Sequence, residues 1–149
     1  MTTPDYTTDF YAWALAQAAA LRAKDWAALD LEHVAEELEV LGMNEKRALS
    51  RQLTRLLTHL LKWRYQPTHR TPSWRRSINQ ARDTITDVLA DNRTLRAAPG
   101  QQLPLAYRRA RRDAIDQTGL PPATFPEACP WPVERVLDED FWPEEGRSC

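Results

Sequence analysis

Between residues 45 and 64, leucine falls at 49, 53, 56, 57, 60 and 61, always at steps of one, three or four. An α-helix turns about 100° per residue, so this spacing gathers the six side chains onto one side. Arg47, Arg51, Arg55 and Lys62 fall on the opposite side. A helix so divided needs an apolar surface to lie against. The chain's other periodic segments supply helices, not strands, for that purpose.

Segment 9–23, DFYAWALAQAAALRA, follows Thr7 and Thr8, either of which can cap a helix start. Phe10, Trp13, Ala14 and Leu21 share a stripe with Gln17, while Tyr11 and Leu15 occupy another face, so this helix is expected to touch more than one neighbour. Asp30 is placed to cap a second helix, with Leu31, Val34, Ala35, Leu38 and Leu41 as its buried stripe and Gly42 as its stop. The leucine helix is expected to end at Gln66-Pro67. Ser73 is expected to cap a fourth helix whose stripe is Trp74, Ile78, Ala81, Ile85, Val88 and Leu89. A fifth is expected over about 102–118, with Pro104 tolerable only in its first turn.

From Leu120 the texture changes. Prolines at 121, 122, 126, 130, 132 and 143 prohibit a long helix, leaving an extended strap with one short turn in VERVLDEDF. Phe125, Trp131, Phe141 and Trp142 are expected to fasten it. The expectation is therefore an all-α fold: an antiparallel bundle of four to five helices over 5–119, with a proline-rich, aromatic C-terminal strap over 120–149, forming a single domain of 149 residues.

Composition narrows the class. With 42% hydrophobic and 28% charged residues the chain is too apolar for intrinsic disorder. It contains no apolar run long enough for a membrane span, and MTTPDYTTDF lacks the pattern of a secretory leader. Two cysteines, Cys129 and Cys149, make no disulfide framework, which points to two free thiols and a cytoplasmic location.

Several stretches, in order, resemble a known family: DFYAWALAQAAALRA, DLEHVAEELEVLG, HLLKWRYQP with SWRRSI shortly after, TGLPPATFPEACPW and LDEDFWP. Together they cover about residues 5–143 and are similar to the bacterial domain-of-unknown-function family 29. The resemblance implies an all-helical fold and brings no established activity, cofactor or catalytic residue.

Three constellations could carry chemistry. Glu36, Glu37, His59 or Asp9 could hold a metal in a bundle enzyme, because bundles build such sites from inward carboxylates and histidines. The required Glu-x-x-His spacing is absent, and Glu36 points away from its helix's apolar stripe. His33, His59 and His69 make a still poorer metal triad. The block 46–82 holds ten Lys/Arg and no Asp or Glu, and Arg108, Arg109, Arg111 and Arg112 form a second basic cluster. Either could meet nucleic-acid phosphates, although the chain's net charge is −1 and the acidic segments are available as internal partners. In the loop WRYQPTHRTPSW, Arg64, Arg70 and Arg75 could bind an anion or a partner beside a helix start. Cys129, between Ala128 and Pro130, reads as a packing residue, and no nucleophile elbow or glycine-rich phosphate loop exists. The leading expectation is a non-enzymatic helical protein-interaction module, a homo-oligomer or part of a complex, with no cofactor and no membrane. A metal-dependent bundle enzyme and nucleic-acid binding through 46–82 rank below it.

Overall fold

The computed structural model describes residues 4–144, so Cys149 lies outside the described residues. Five α-helices and no strand occur among them: α1 Phe10–Ala23, α2 Leu31–Tyr65, α3 Pro72–Asp91, α4 Ala98–Thr118 and α5 Val133–Leu137. The fold class is all-α, as the periodicity requires. Contacts along the backbone group the chain into two compact units, Met1–Asn44 and Glu45–Cys149.

In the first unit, Asp9 caps α1 by accepting a hydrogen bond from the Ala12 N–H at 3.1 Å. The helix closes at Lys24, whose φ of 56° is left-handed, and whose N–H returns to the last carbonyls. Asp30 opens α2: its carboxylate accepts from the His33 N–H and its carbonyl from the Val34 N–H. The buried face of α1 is Trp13, Gln17 and Ala20. Its other expected face, Tyr11 and Leu15, is exposed instead, because no second neighbour covers it among the described residues.

The largest departure from expectation is α2, which runs unbroken through Gly42. Glycine ends a helix only when the chain turns left-handed there. Glu45, Lys46 and Arg47 continue with good helix formers, and no proline intervenes before Pro67. The expected second and third helices are therefore one. Its expected N-terminal stripe is not buried either: Leu31, Leu38 and Leu41 are 68%, 63% and 62% exposed.

In the second unit, Leu49, Leu53, Leu56, Leu57, Leu60 and Leu61 are fully buried. They share a core with Ile78, Ala81 and Ile85 of α3, Ala106, Tyr107, Ala110 and Ala114 of α4, and Phe125 and Val136 of the strap. Thr71, not Ser73, caps α3, because Pro72 takes the first helical position that its fixed φ suits. Helix α4 begins at Ala98, so Pro104 stands in its interior and not in its first turn. It lacks the N–H that would meet the Gly100 carbonyl, and it is exposed, where water can serve that carbonyl.

The strap is tied down by side chains of the helices. Arg82 donates to the Val136 carbonyl at 3.1 Å and the Phe141 carbonyl at 2.8 Å. Arg111 donates to Phe125 and Pro122, Tyr107 to Pro126, and Arg70 to Trp63 and Pro143. Trp142 rests on Trp63 with ring centroids 4.8 Å apart.

Two substitutions test this architecture. A Cβ added at Gly42 would meet nothing within 4 Å, so Gly42→Ala should raise stability by about 0.5–1 kcal/mol in urea denaturation; a loss would mean that the helix breaks there. Arg82→Ala should cost about 3 kcal/mol, since it strands two strap carbonyls that a charged donor serves, and a cost near zero would show that the strap holds without it.

Candidate functional site

The polar side chains of the first unit converge on Asp30. Its carboxylate accepts from Trp13 Nε1 at 3.2 Å and lies 2.6 Å from His33 Nδ1, while its backbone N–H donates to Gln17 Oε1 at 2.7 Å. The Tyr6 ring stacks on the His33 ring, centroids 4.0 Å apart, and its hydroxyl donates to Glu37. Tyr6, Trp13, Gln17, Asp30 and His33, with the neighbouring Pro4, Asp5, Ala28 and Leu29 but not Glu37, line an open cleft of about 400 Å³.

Helix-start geometry explains the arrangement. A cap residue and the residue three positions later lie on the same side of the first turn, which sets His33 over Asp30. The hydrogen bond from His33 holds the Asp30 carboxyl below its ordinary range, and the same bond raises the imidazole above its own. The bond to Glu37 pushes the Tyr6 hydroxyl up to about 12. Among the described residues no hydroxyl or thiol hydrogen-bonds to His33. The pair fastens the helix start.

Beside this polar cluster the first unit exposes apolar side chains. Ten large ones between Phe10 and Met43 are exposed, against Leu105 alone in the other unit's described residues. Sequence reasoning found the stripe on α2 but assigned it to a core. It named Asp30 as a cap and His33 as one member of a weak metal triad, although the Asp-x-x-His spacing is the signal that joins them.

The residues singled out from sequence fall as follows. Glu36 is exposed and Glu37 accepts from Tyr6. His59 Nδ1 sits 2.9 Å from the Arg55 carbonyl, and burial pushes its imidazole down. Among the described residues no three His, Cys, Asp or Glu side chains gather in a group that could hold a metal. His69 Nδ1 lies beside Thr68, and Asp9 caps α1. Arg70 and Arg75 lie over the Trp63 ring, Arg75 also over Trp142 at 4.4 Å, and Arg64 over Tyr65. The structure brings Arg70 and Arg75 together on the Trp63 ring. Burial pushes the Cys129 thiol up, away from a reactive thiolate. Among the described residues the ion pairs are His33–Asp30 and Arg112–Asp113, both between near neighbours in sequence, so no residue of the basic block 46–82 makes a direct ion pair there.

An all-α chain with no helix long and apolar enough to cross a membrane among its described residues, and with a polar helix-start cluster beside bare apolar side chains, is of the helical-domain class. The chain belongs to the family described as "Domain of unknown function DUF29", which matches residues 6–142. No curated protein and no solved structure matches it.

The Asp30–His33 bond has a definite pH signature. His33 is raised above 6.5, so its contribution to stability is fully present below that value and fades as pH climbs through the folded pKa. Asp30 is lowered below 3.8, so its contribution is present above that value and fades as pH falls through the folded pKa. The bond is whole from about pH 4 to the folded His33 value. Asp30→Asn keeps a competent cap and should lower the His33 midpoint in an NMR titration; an unmoved midpoint would show that the pair is not coupled in solution.

Proposed function

We propose that the protein is a helical protein-interaction module, working by docking and not by catalysis, with its docking surface in residues 10–43. The exposed apolar side chains of that stretch carry the reading. A folded chain leaves single hydrophobic residues in water routinely, but not a dense set on two short helical segments. At roughly 60–100 Å² apiece, ten of them expose on the order of 600–1,000 Å², the range that one side of a specific interface covers. Leu31, Leu38 and Leu41 recur at helical spacing, the pattern by which one helix packs on another.

The test takes a second copy of the chain as the partner. Sedimentation equilibrium should show a mass above one chain that grows with concentration. The variant L31E/L38E/L41E should sediment as a monomer with an unchanged helical circular dichroism spectrum. Residues 1–44 carry eight acids and two bases, a net of −6, so copies joined here repel electrostatically and added salt should strengthen association. A monomer at every concentration and salt level would overturn the proposal in this form.

A further inference from the structure

The second unit has the opposite charge. Residues 45–149 hold 18 Lys/Arg and 13 Asp/Glu, a net of +5, which the chain total of −1 conceals. Two sets of its arginines contrast. Arg70, Arg82 and Arg111 donate to backbone carbonyls of the strap and of α2. Arg47, Arg51 and Arg109 are exposed and make no hydrogen bond or ion pair among the described residues.

Those three guanidiniums line one groove of about 400 Å³ between α2 and α4, together with Ser50 and Thr54. Arg47 and Arg51 stand one turn apart on α2, and Arg109 faces them from α4. A neighbouring groove of about 620 Å³ shares Arg109 and adds Arg108, Arg111 and Arg112, with Asp116 as its carboxylate and Leu105, Ile115 and Pro122 as its apolar lining. The first groove contains no carboxylate, no aromatic ring and no large apolar side chain. The lining therefore specifies its occupant by exclusion. A protein partner would need an apolar centre to bury, and a base-reading site would need a stacking ring. What remains is an anionic ligand satisfied by charge-assisted hydrogen bonds to planar donors, a geometry that phosphate and carboxylate both match. Two contiguous grooves joined through Arg109 suit a ligand with several phosphates in a row.

We propose that the Arg47–Arg51–Arg109 groove binds the phosphodiester backbone of a nucleic acid, without reading its bases. The site is independent of the apolar surface in residues 10–43. It also differs from the candidate at Arg64, Arg70 and Arg75, where Arg70 and Arg75 lie over tryptophan rings, Arg70 donates to a strap carbonyl and Arg64 lies over Tyr65.

Fluorescence anisotropy of labelled duplex DNA, single-stranded DNA and RNA against the full chain tests the proposal, and the three probes separate the sources of phosphate. Binding should occur at about 50 mM salt with little dependence on base sequence. Three phosphate contacts predict a fall of roughly 40-fold on going to about 200 mM salt. R47A, R51A and R109A should each lower the slope of log K against log salt by about one. The triple variant should bind at least about tenfold more weakly while keeping its helical spectrum. No binding of any probe at about 50 mM salt would overturn the proposal, as would a triple variant that binds like wild type, or polyglutamate of matched charge competing as well as DNA. Self-association is strengthened by salt and this binding is weakened by it, so failure of one does not imitate failure of the other.

Discussion

The strap's backbone carbonyls, and the cationic side chains that receive them, govern the second unit. A segment with six prolines between 121 and 143 has fewer N–H donors than acceptors and cannot form a ladder or a helix of useful length. Buried carbonyls left without donors would cost about 1–3 kcal/mol each. Arg82 sits in the middle of α3, buried to 3% exposure, and reaches two of them. Burying a guanidinium is itself costly, and the carbonyl dipoles, with the Trp142 face 5.5 Å away, offset that cost. With the strap fixed, Phe125 and Val136 complete the cover over the leucines of α2.

This explains which parts of the fold were legible. Leucine spacing and the stripe of α3 are local periodicities, and a helix either follows them or wastes its apolar face. The strap was legible as an interruption, because proline acts on its own backbone. Its fastenings were not: Arg82 lies 54 and 59 residues from its carbonyl partners, and no local pattern marks an arginine as buried. Arg70 and Arg75 read as an anion site for the same reason, since only the folded chain sets Trp63 and Trp142 beneath them.

Helix ends were misread where one residue can serve two states. Gly42 is a stop signal only if the chain beyond it leaves the helix, and that choice depends on what the following turns bury. The buried Leu49 and Leu53 lie along the same continuous helix, and their packing outweighs a glycine cost of about 1 kcal/mol. The stripe at 31–41 shows the converse limit. Periodicity states that side chains share a face; it does not state that anything covers the face. The Asp30–His33 pair was visible as a spacing, but the stacking Tyr6 came from outside the helix.

Charge gives the two units separate physical characters. The acidic unit bears the bare apolar side chains, and in the basic unit Arg47, Arg51 and Arg109 make no ion pair among the described residues. Apolar contact between like-charged copies is limited by repulsion, which salt relieves. Binding of a polyanion is driven by release of its counterions, which salt opposes. Had the acids and bases of this chain been mixed evenly, both surfaces would have been neutralised locally and neither dependence would be pronounced. The segregation along the sequence, which a net charge of −1 hides, gives one small chain two stretches of opposite charge whose electrostatics respond to salt in opposite directions.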